Sequence, residues 1–178
     1  MKLLLQESNQ MSQFEISSLN AAINLRPATR EDMPAVLDLI RELAEYERAP
    51  QEVTVTEDEL AHDGFTANLF SCIVAEKGNE IIGMAFFYPR YSTWKGRTIH
   101  LEDFVVRESY RQHGIGQLLF NAVVEQAKQF GAKRLEWLVL EWNEPALNFY
   151  KKIGAEIDPE WQIGKLTEKQ LVNWTISE

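Results

Sequence analysis

The sequence predicts a single α/β domain of the α+β type, with a mixed, largely antiparallel sheet flanked by helices. Two observations carry this prediction. Apolar residues change along the chain from helical spacing to strand alternation and back again. From Leu25 onward, no repeat, low-complexity tract or linker interrupts the pattern. We therefore expect one folded domain over residues 23–178, after a loosely ordered extension of residues 1–22.

The first predicted elements are a short strand and two capped helices. Residues 25–28 precede a turn signal and indicate the strand. Thr29 and Thr56 each stand three residues before a carboxylate, an arrangement that resembles a capping box and opens a helix. Apolar residues at helical spacing carry the first helix to about Arg48, and the second helix ends near Gly64.

A meander of three strands follows. Residues 70–76, 80–91 and 97–106 are rich in β-branched and aromatic side chains, which favour strands. Lys77-Gly78-Asn79 separates the first two segments and is typical of a hairpin turn. These segments therefore predict antiparallel pairing.

The last part of the chain returns to helical spacing. Gly114 and Gly116 open a long apolar-periodic helix, and Gly131 ends it. The remaining predicted elements are a strand at 134–141, a helix at 144–153, a strand at 161–166 and a short helix at 167–174.

Composition and charge exclude several classes of protein. The chain of 178 residues has 18 basic and 27 acidic side chains, and this net charge of -9 argues against binding nucleic acid. Acidity suits a cationic partner or simply solubility. One cysteine cannot form an internal disulfide, and three scattered histidines predict no metal site. Without an apolar run long enough for a signal peptide or a membrane span, we expect a soluble protein of the reducing cytoplasm.

The sharpest motif is Arg111-Gln112-His113-Gly114-Ile115-Gly116, between a strand and the long helix. A glycine-rich turn at a helix start exposes backbone N–H groups to an anion, and Arg111 adds a forked cation for phosphate oxygens. The alternative is a tight turn that happens to contain two glycines. A dinucleotide fingerprint would need a third small residue where Leu119 stands, so a nicotinamide site is not expected.

A second motif places two adjacent carboxylates, Glu102 and Asp103, inside an apolar strand. Successive strand residues face opposite sides, so alternation is expected to put only one of the two in a cleft. That carboxylate would bind an ammonium group or take its proton. The alternative is an ordinary pair at a strand edge.

The third motif is a strand, turn and helix around Asn143 and Tyr150. Asn143 suits the N-cap of the helix. Tyr150 is either a half-buried core phenol or a group that returns a proton to a thiolate leaving group.

Together these motifs resemble the GNAT superfamily of N-acetyltransferases, and most closely its diamine (spermidine/spermine, thialysine) acetyltransferase family. The resemblance covers about residue 24 to the C-terminus. The segments that carry the closer resemblance are Arg26-Pro27-Ala28-Thr29, Leu43-Ala44-Glu45-Tyr46-Glu47, Asp63-Gly64-Phe65, Tyr91-Ser92-Thr93-Trp94-Lys95-Gly96-Arg97, Leu101-Glu102-Asp103-Phe104 and Glu141-Trp142-Asn143-Glu144-Pro145.

The resemblance implies the GNAT fold, acetyl-CoA as cosubstrate without a metal, direct transfer to a primary amine of a small cationic acceptor, and a homodimer. Backbone groups of that fold's splayed strand hold the pantetheine arm, the glycine turn seats the pyrophosphate, and the Asn contacts the cofactor arm. The residues that match these cofactor-binding positions are Phe104, Val105, Val106, Arg111, Gln112, His113, Gly114, Ile115, Gly116 and Asn143.

The resemblance also implies catalytic and acceptor-binding residues. Glu102 would take the ammonium proton, through an ordered water, and Tyr150 would protonate the departing thiolate. The residues that match acceptor-binding positions are Tyr46, Glu47, Glu102, Asp103 and Glu160.

Two other functions stay open. The stretch Lys95-Gly96-Arg97 resembles the thialysine branch, so the acceptor could be thialysine, another amino acid or a protein amine. A carboxylate on such an acceptor would be bound by Arg90, Lys95 or Arg97. The remaining alternative, from a different class, is a non-catalytic acyl-CoA-binding module.

Overall fold

A computed structural model describes residues 23–175, and the expected N-terminal extension of residues 1–22 lies outside them. The elements follow the predicted order up to the penultimate helix. Their bounds are β1 (Ile23–Pro27), α1 (Met33–Tyr46), α2 (Glu57–Phe65), β2 (Ser71–Lys77), β3 (Glu80–Ser92), β4 (Gly96–Val106), α3 (Ile115–Phe130), β5 (Arg134–Trp137), α4 (Glu144–Lys152) and α5 (Glu168–Val172).

The five strands form one sheet in the order β1-β2-β3-β4-β5. The first three pairings are antiparallel, and β4 pairs with β5 in parallel. This mixed, largely antiparallel sheet with its helices confirms the predicted fold class.

Local signals explain where the first helices begin. The Thr56 hydroxyl accepts the Glu59 N–H, and the Glu59 carboxylate accepts the Thr56 N–H, so a complete capping box opens α2. Thr29 and Asp32 form the same box one turn before α1. Both predicted boxes are confirmed.

The core lies between α1 and one face of the sheet. Buried side chains of α1 and α2 pack there against side chains from β2, β3 and β4. The cluster consists of Met33, Val36, Leu37, Leu39, Leu60, Cys72, Val74, Ile81, Met84 and Val105. Phe104, whose side chain alternates with that of Val105, packs edge-on against Phe120 of α3. Helix α3 therefore covers the other face.

The described residues divide into two compact units, one that ends at Leu138 and one that begins at Val139. The first contains the sheet with α1 to α3, and the second contains α4 and α5. The predicted strand at 161–166 is wrong, since those residues form no strand in the described chain. Among residues 23–175, no helix combines the length and apolarity that a membrane span needs.

Candidate functional site

Strand β4 carries a bulge at Glu102. Along β3, Phe87 is paired with Leu101 and the preceding Phe86 is paired with Asp103. Glu102 is therefore the extra residue on β4 and has no pairing partner on β3. A bulge of this kind interrupts the alternation of side chains along its strand.

Both carboxylates at the bulge lie on the sheet face that α1 covers. Tyr88 and Phe86 are two residues apart on β3, so their side chains share a face. Phe86 packs against the core cluster, and Tyr88 donates a hydrogen bond of 2.8 Å to Glu102 Oε2. Asp103 is paired with Phe86. The expectation that alternation separates Glu102 from Asp103 is therefore wrong.

Glu47 directly follows α1 and joins Glu102 and Asp103 in what we call the acidic cluster. Burial raises the pKa of Asp103 to about 6, with smaller contributions from the charges of Glu102 and Glu47. Burial also raises the pKa of Glu47. The Glu102 side chain is 50% exposed. The cluster thus combines the accessible carboxylate of Glu102 with those of Asp103 and Glu47, whose negative charges water stabilises less well. A bound cation would stabilise these charges.

The only cysteine is unsuited to nucleophilic catalysis. Cys72 is buried on β2, and burial raises the pKa of its thiol to about 12. A thiol in that state is a poor nucleophile, because the thiolate is the reactive form. Within residues 23–175, no group of three or more His, Cys, Asp or Glu side chains is placed to hold a metal ion.

The turn between β4 and α3 has a backbone shape that can bind an anion. Gln112 and Gly114 adopt positive φ angles of 66° and 82°. Left-handed residues within a turn direct neighbouring N–H groups to one side. Gly114 is also the N-cap of α3, at the positive end of a helix of 16 residues. Phosphate binding here stays a prediction that this geometry supports.

The two glycines of the turn have different reasons to be glycine. Gly114 needs its positive φ, which a side chain disfavours. Gly116 has no positive φ, and a Cβ there would meet only the Phe104 ring at 3.7 Å, an ordinary contact. The protein itself therefore does not require glycine at 116. Between them, Ile115 is 1% exposed and anchors the start of α3 in the core.

Arg111 closes the turn. Its Nε donates a hydrogen bond of 2.8 Å to the Val106 carbonyl, and its guanidinium lies 5.3 Å from the centre of the Tyr46 ring. Tyr46, expected to bind the acceptor, therefore lies beside the turn and links the end of α1 to it.

The backbone from Phe104 to Val106 lies where β4 and β5 have separated. The pairing of β4 with β5 ends at Leu101 and Trp137, whereas pairing with β3 continues to Val106. This geometry agrees with the splayed strand that the resemblance implies.

Sequence reasoning missed an ion-pair network that supports the turn. Arg107 contacts Glu80 at 2.6 Å and Glu42 at 3.1 Å. Tyr110 donates a hydrogen bond of 3.1 Å to Glu80. The turn is thereby tied to α1 and to the start of β3. No local motif indicates these residues, because they are distant in sequence.

A second missed network adjoins Glu102. His100 Nε2 lies 3.4 Å from Glu102 Oε2, and His100 Nδ1 lies 4.0 Å from Glu136 Oε1. Glu136 also contacts Arg90 at 2.7 Å and Arg134 at 2.8 Å. Arg90 is thus already paired with a carboxylate.

Arg97 and Lys95 are the other two cationic residues that could bind an acceptor carboxylate, and both have contacts outside the acidic cluster. Arg97 donates to the Phe130 carbonyl at the end of α3. Lys95 lies in the turn between β3 and β4, where its N–H donates to Ser92 Oγ.

The remaining predicted residues lie in the unit that begins at Val139. Asn143 Oδ1 accepts the Ala146 N–H at 3.2 Å, which confirms the predicted N-cap of α4. Tyr150 is 5% exposed, and its ring meets that of Phe149 edge-on. Glu160 is exposed, and its N–H donates to Asp158 Oδ1.

The first unit therefore carries two sites of opposite character on β4 and its extension. The acidic cluster can hold an ammonium group and take its proton. The turn that follows β4 can hold an anion at the start of α3. A reaction between a cationic and an anionic substrate suits this arrangement.

Comparisons with known proteins agree with this chemistry. A model of the acetyltransferase (GNAT) family matches residues 33–155, which span both compact units. Thialysine N-epsilon-acetyltransferase of Bos taurus is 41% identical over 145 residues, covering 76% of this chain and 85% of that protein. Human spermidine/spermine N(1)-acetyltransferase-like protein 1 is 31% identical and covers 86% of this chain, which spans 24% of that protein.

Solved structures show the same fold. An aminoglycoside acetyltransferase from an uncultured soil metagenomic sample has a TM-score of 0.71 at 19% identity, covering 84% of this chain and 99% of that one.

Proposed function

The chain belongs to the acetyltransferase (GNAT) family and is an amine N-acetyltransferase, and on that premise we propose direct acetyl transfer from acetyl-CoA to a small cationic diamine or polyamine. The resemblance found in the sequence is confirmed at the level of family and amine acetylation. The observation that carries the proposal is the bulge at Glu102, which places an exposed carboxylate and the half-buried Asp103 on one face of β4, ahead of the glycine turn at residues 111–116.

The residues of the β4–α3 turn fit the anionic part of acetyl-CoA. The N–H groups of Gln112, His113 and Gly114 would meet the pyrophosphate, with the charge of Arg111 and the helix start beside them. The missing Cβ of Gly116 leaves room for close approach. Backbone of Phe104, Val105 and Val106 would hold the pantetheine arm, and Asn143 would contact it by family resemblance.

Alanine at the two glycines is expected to change different properties, cofactor affinity at Gly116 and stability at Gly114. Gly116→Ala should raise KM for acetyl-CoA about tenfold with little loss of stability, because helix starts tolerate alanine. Gly114→Ala should lower the free energy of unfolding by about 1–2 kcal/mol, because alanine disfavours positive φ. Steady-state kinetics and thermal unfolding of both variants test this pair. An unchanged KM in Gly116→Ala would remove the pyrophosphate assignment.

Chemistry at the acidic cluster follows from the charge of the acceptor. A primary amine with a pKa of about 10.4 is almost wholly protonated at neutral pH and cannot attack a thioester. Asp103 and Glu47 would hold the cation, and the exposed Glu102 would take its proton. Cys72 is not available as an acyl carrier, which supports direct attack. Tyr150 would protonate the departing thiolate, a role that rests on the resemblance.

A second candidate acceptor is thialysine or a similar amino acid. The activity named for the bovine relative favours it. The pairing of Arg90 with Glu136 weighs against Arg90 as the group that would bind its carboxylate.

One assay tests the proposed function. The protein is mixed with acetyl-CoA and, separately, putrescine, spermidine, spermine, thialysine or lysine, and release of free thiol is followed. Turnover that is fastest with diamines or polyamines is expected. Preference for thialysine would replace the proposed acceptor, and release of thiol with none of the five would contradict both small-amine acceptors and favour a protein amine or the non-catalytic acyl-CoA-binding module.

The proposal includes a homodimer in the cytoplasm. Family resemblance supports the dimer, in which Glu160 would contact the acceptor bound by the partner. The single cysteine, buried as a thiol, suits a reducing compartment. Light scattering coupled to size exclusion measures the oligomeric state.

A further inference from the structure

His100 occupies a central position on the face that carries the acidic cluster. It lies two residues before Glu102 on β4 and is paired with Tyr88 on β3 and with Glu136 on β5. It is 7% exposed and, with Thr98, is one of two buried polar residues among those described. A polar side chain so well buried normally has hydrogen-bond partners on all its polar atoms.

The ring of His100 lies between two carboxylates. Nε2 is 3.4 Å from Glu102 Oε2, and Nδ1 is 4.0 Å from Glu136 Oε1. Nδ1 is buried and has no hydrogen-bond partner among the described residues. The imidazole therefore lies next to the accessible carboxylate of the site and within 4.0 Å of a second carboxylate, that of Glu136.

Either neutral tautomer of His100 leaves a lone pair facing a carboxylate. With the proton on Nε2, the bare Nδ1 faces Glu136. With the proton on Nδ1, the bare Nε2 faces Glu102, which is unfavourable while Glu102 is ionised and favourable once Glu102 holds a proton. Protonation of Glu102 thus creates the partner that Nε2 lacks in this tautomer.

Charged groups of both signs surround His100. Glu102 and Asp103 of β4 and Glu136 of β5 are acidic, whereas Arg90 of β3 and Arg134 of β5 are basic and both contact Glu136. Tyr88 of β3 places its ring centre 5.3 Å from the imidazole.

Tyr88 is a donor to Glu102 and not a proton acceptor. Burial and the hydrogen bond to Glu102 raise the pKa of Tyr88 to about 12, so its hydroxyl stays protonated. Of these two neighbours of Oε2, the imidazole is the one that can accept a proton near neutral pH.

We propose that His100 is a positioning residue for Glu102 that also takes over the proton removed from the acceptor amine. The proposal rests on the proposed function and deepens it. In this step the Oε2–H bond of protonated Glu102 breaks and an Nε2–H bond forms. Glu102 returns to a carboxylate, and the imidazolium stands between two carboxylates until its proton passes to solvent. No oxidant, reductant or further reactant is needed.

A titration by NMR tests the coupling without turnover. The chain has three histidines, His62, His100 and His113, so their ring signals can be followed individually. In Glu102→Gln, the pH of half-protonation of His100 should fall by at least about one pH unit, because a facing negative charge is lost. His62, paired with Asp63, is the internal control and should not move. An unchanged His100 titration overturns the proposal.

A rate comparison tests the proton transfer. His100→Gln should lower kcat about tenfold near pH 8. If the imidazole accepts the proton, the ratio of wild-type to variant kcat should fall toward one near pH 5, because a histidine side chain loses its capacity to accept a proton in acid. Tyr88→Phe removes the other contact to Oε2 but keeps the imidazole, so its ratio should be independent of pH.

The outcomes distinguish a failure of the His100 proposal from a failure of the proposed function. A His100→Gln ratio that stays constant with pH would assign a purely structural role to His100 and overturn the proposal, even if amines are acetylated. If no amine is acetylated, the proposed function fails, and the NMR titration still reports whether Glu102 and His100 are coupled.

Discussion

Replacement of Glu102 by glutamine is expected to lower kcat about 100- to 1000-fold at neutral pH, which lies within the range that a general base typically contributes. Glutamine has nearly the same volume and can still accept the Tyr88 hydrogen bond seen at 2.8 Å. It cannot take a proton from the acceptor. The bulge and the acidic cluster should therefore survive while the proton transfer does not.

The loss in Glu102→Gln should shrink as the pH rises. Each pH unit toward the amine pKa of about 10.4 raises the neutral fraction of the acceptor about tenfold, and a neutral acceptor needs no base. Measuring kcat/KM for the acceptor over the alkaline range checks this slope. A constant ratio between wild type and variant would show that Glu102 acts only in binding.

A matched control is Glu125→Gln on the exposed face of α3, where Glu125 pairs with Lys128. It removes the same charge outside the site and should keep kcat and KM. If Glu102→Gln behaves like this control, the assignment of Glu102 as base is wrong.

The elements of the fold were predictable because their signals are local. A capping box such as Thr56 with Glu59 lies within four residues and opens α2 as predicted. The segment 161–166 shows the limit of this approach. A strand is predicted there, but a strand also needs a partner to pair with, and these residues form no strand in the described chain.

The candidate site depended on information that no local pattern contains. The pair Glu102 and Asp103 is visible in the sequence, but the bulge that turns both to one face follows from the register of β3 on β4. His100 meets Glu136 because β4 and β5 are adjacent in parallel, and these residues are 36 positions apart. The sequence therefore indicates which residues belong to the site, but the distances and orientations between them follow only from the pairing of the strands.

Asp103→Asn is expected to weaken acceptor binding while stabilising the fold. Kinetically, kcat/KM for the acceptor should fall about 10- to 100-fold, mostly through KM, because a contact to a charged group contributes about 1.5–3 kcal/mol. KM for acetyl-CoA should stay the same. Asp38→Asn, on the exposed side of α1, removes the same charge elsewhere and should change neither constant.

The stability change follows from the pKa of Asp103, which burial raises from 3.8 to about 6. Between these two pH values the folded state binds more protons than the unfolded state, so this group's contribution to stability decreases as pH rises. Above about pH 6 the buried charge keeps destabilising the fold. Asp103→Asn should therefore raise the free energy of unfolding by about 1–2 kcal/mol at pH 8 and leave it nearly unchanged near pH 4.

Thermal unfolding of wild type and Asp103→Asn at both pH values measures this difference. A variant that is less stable than wild type at pH 8 would contradict the argument, since it would mean that the ionised carboxylate is already compensated. Acceptor binding adds a second check. A bound cation offsets the buried charge, so a saturating acceptor should raise the Tm of wild type more than that of the variant at pH 8. The carboxylate that destabilises the free protein is then the one that binds the amine.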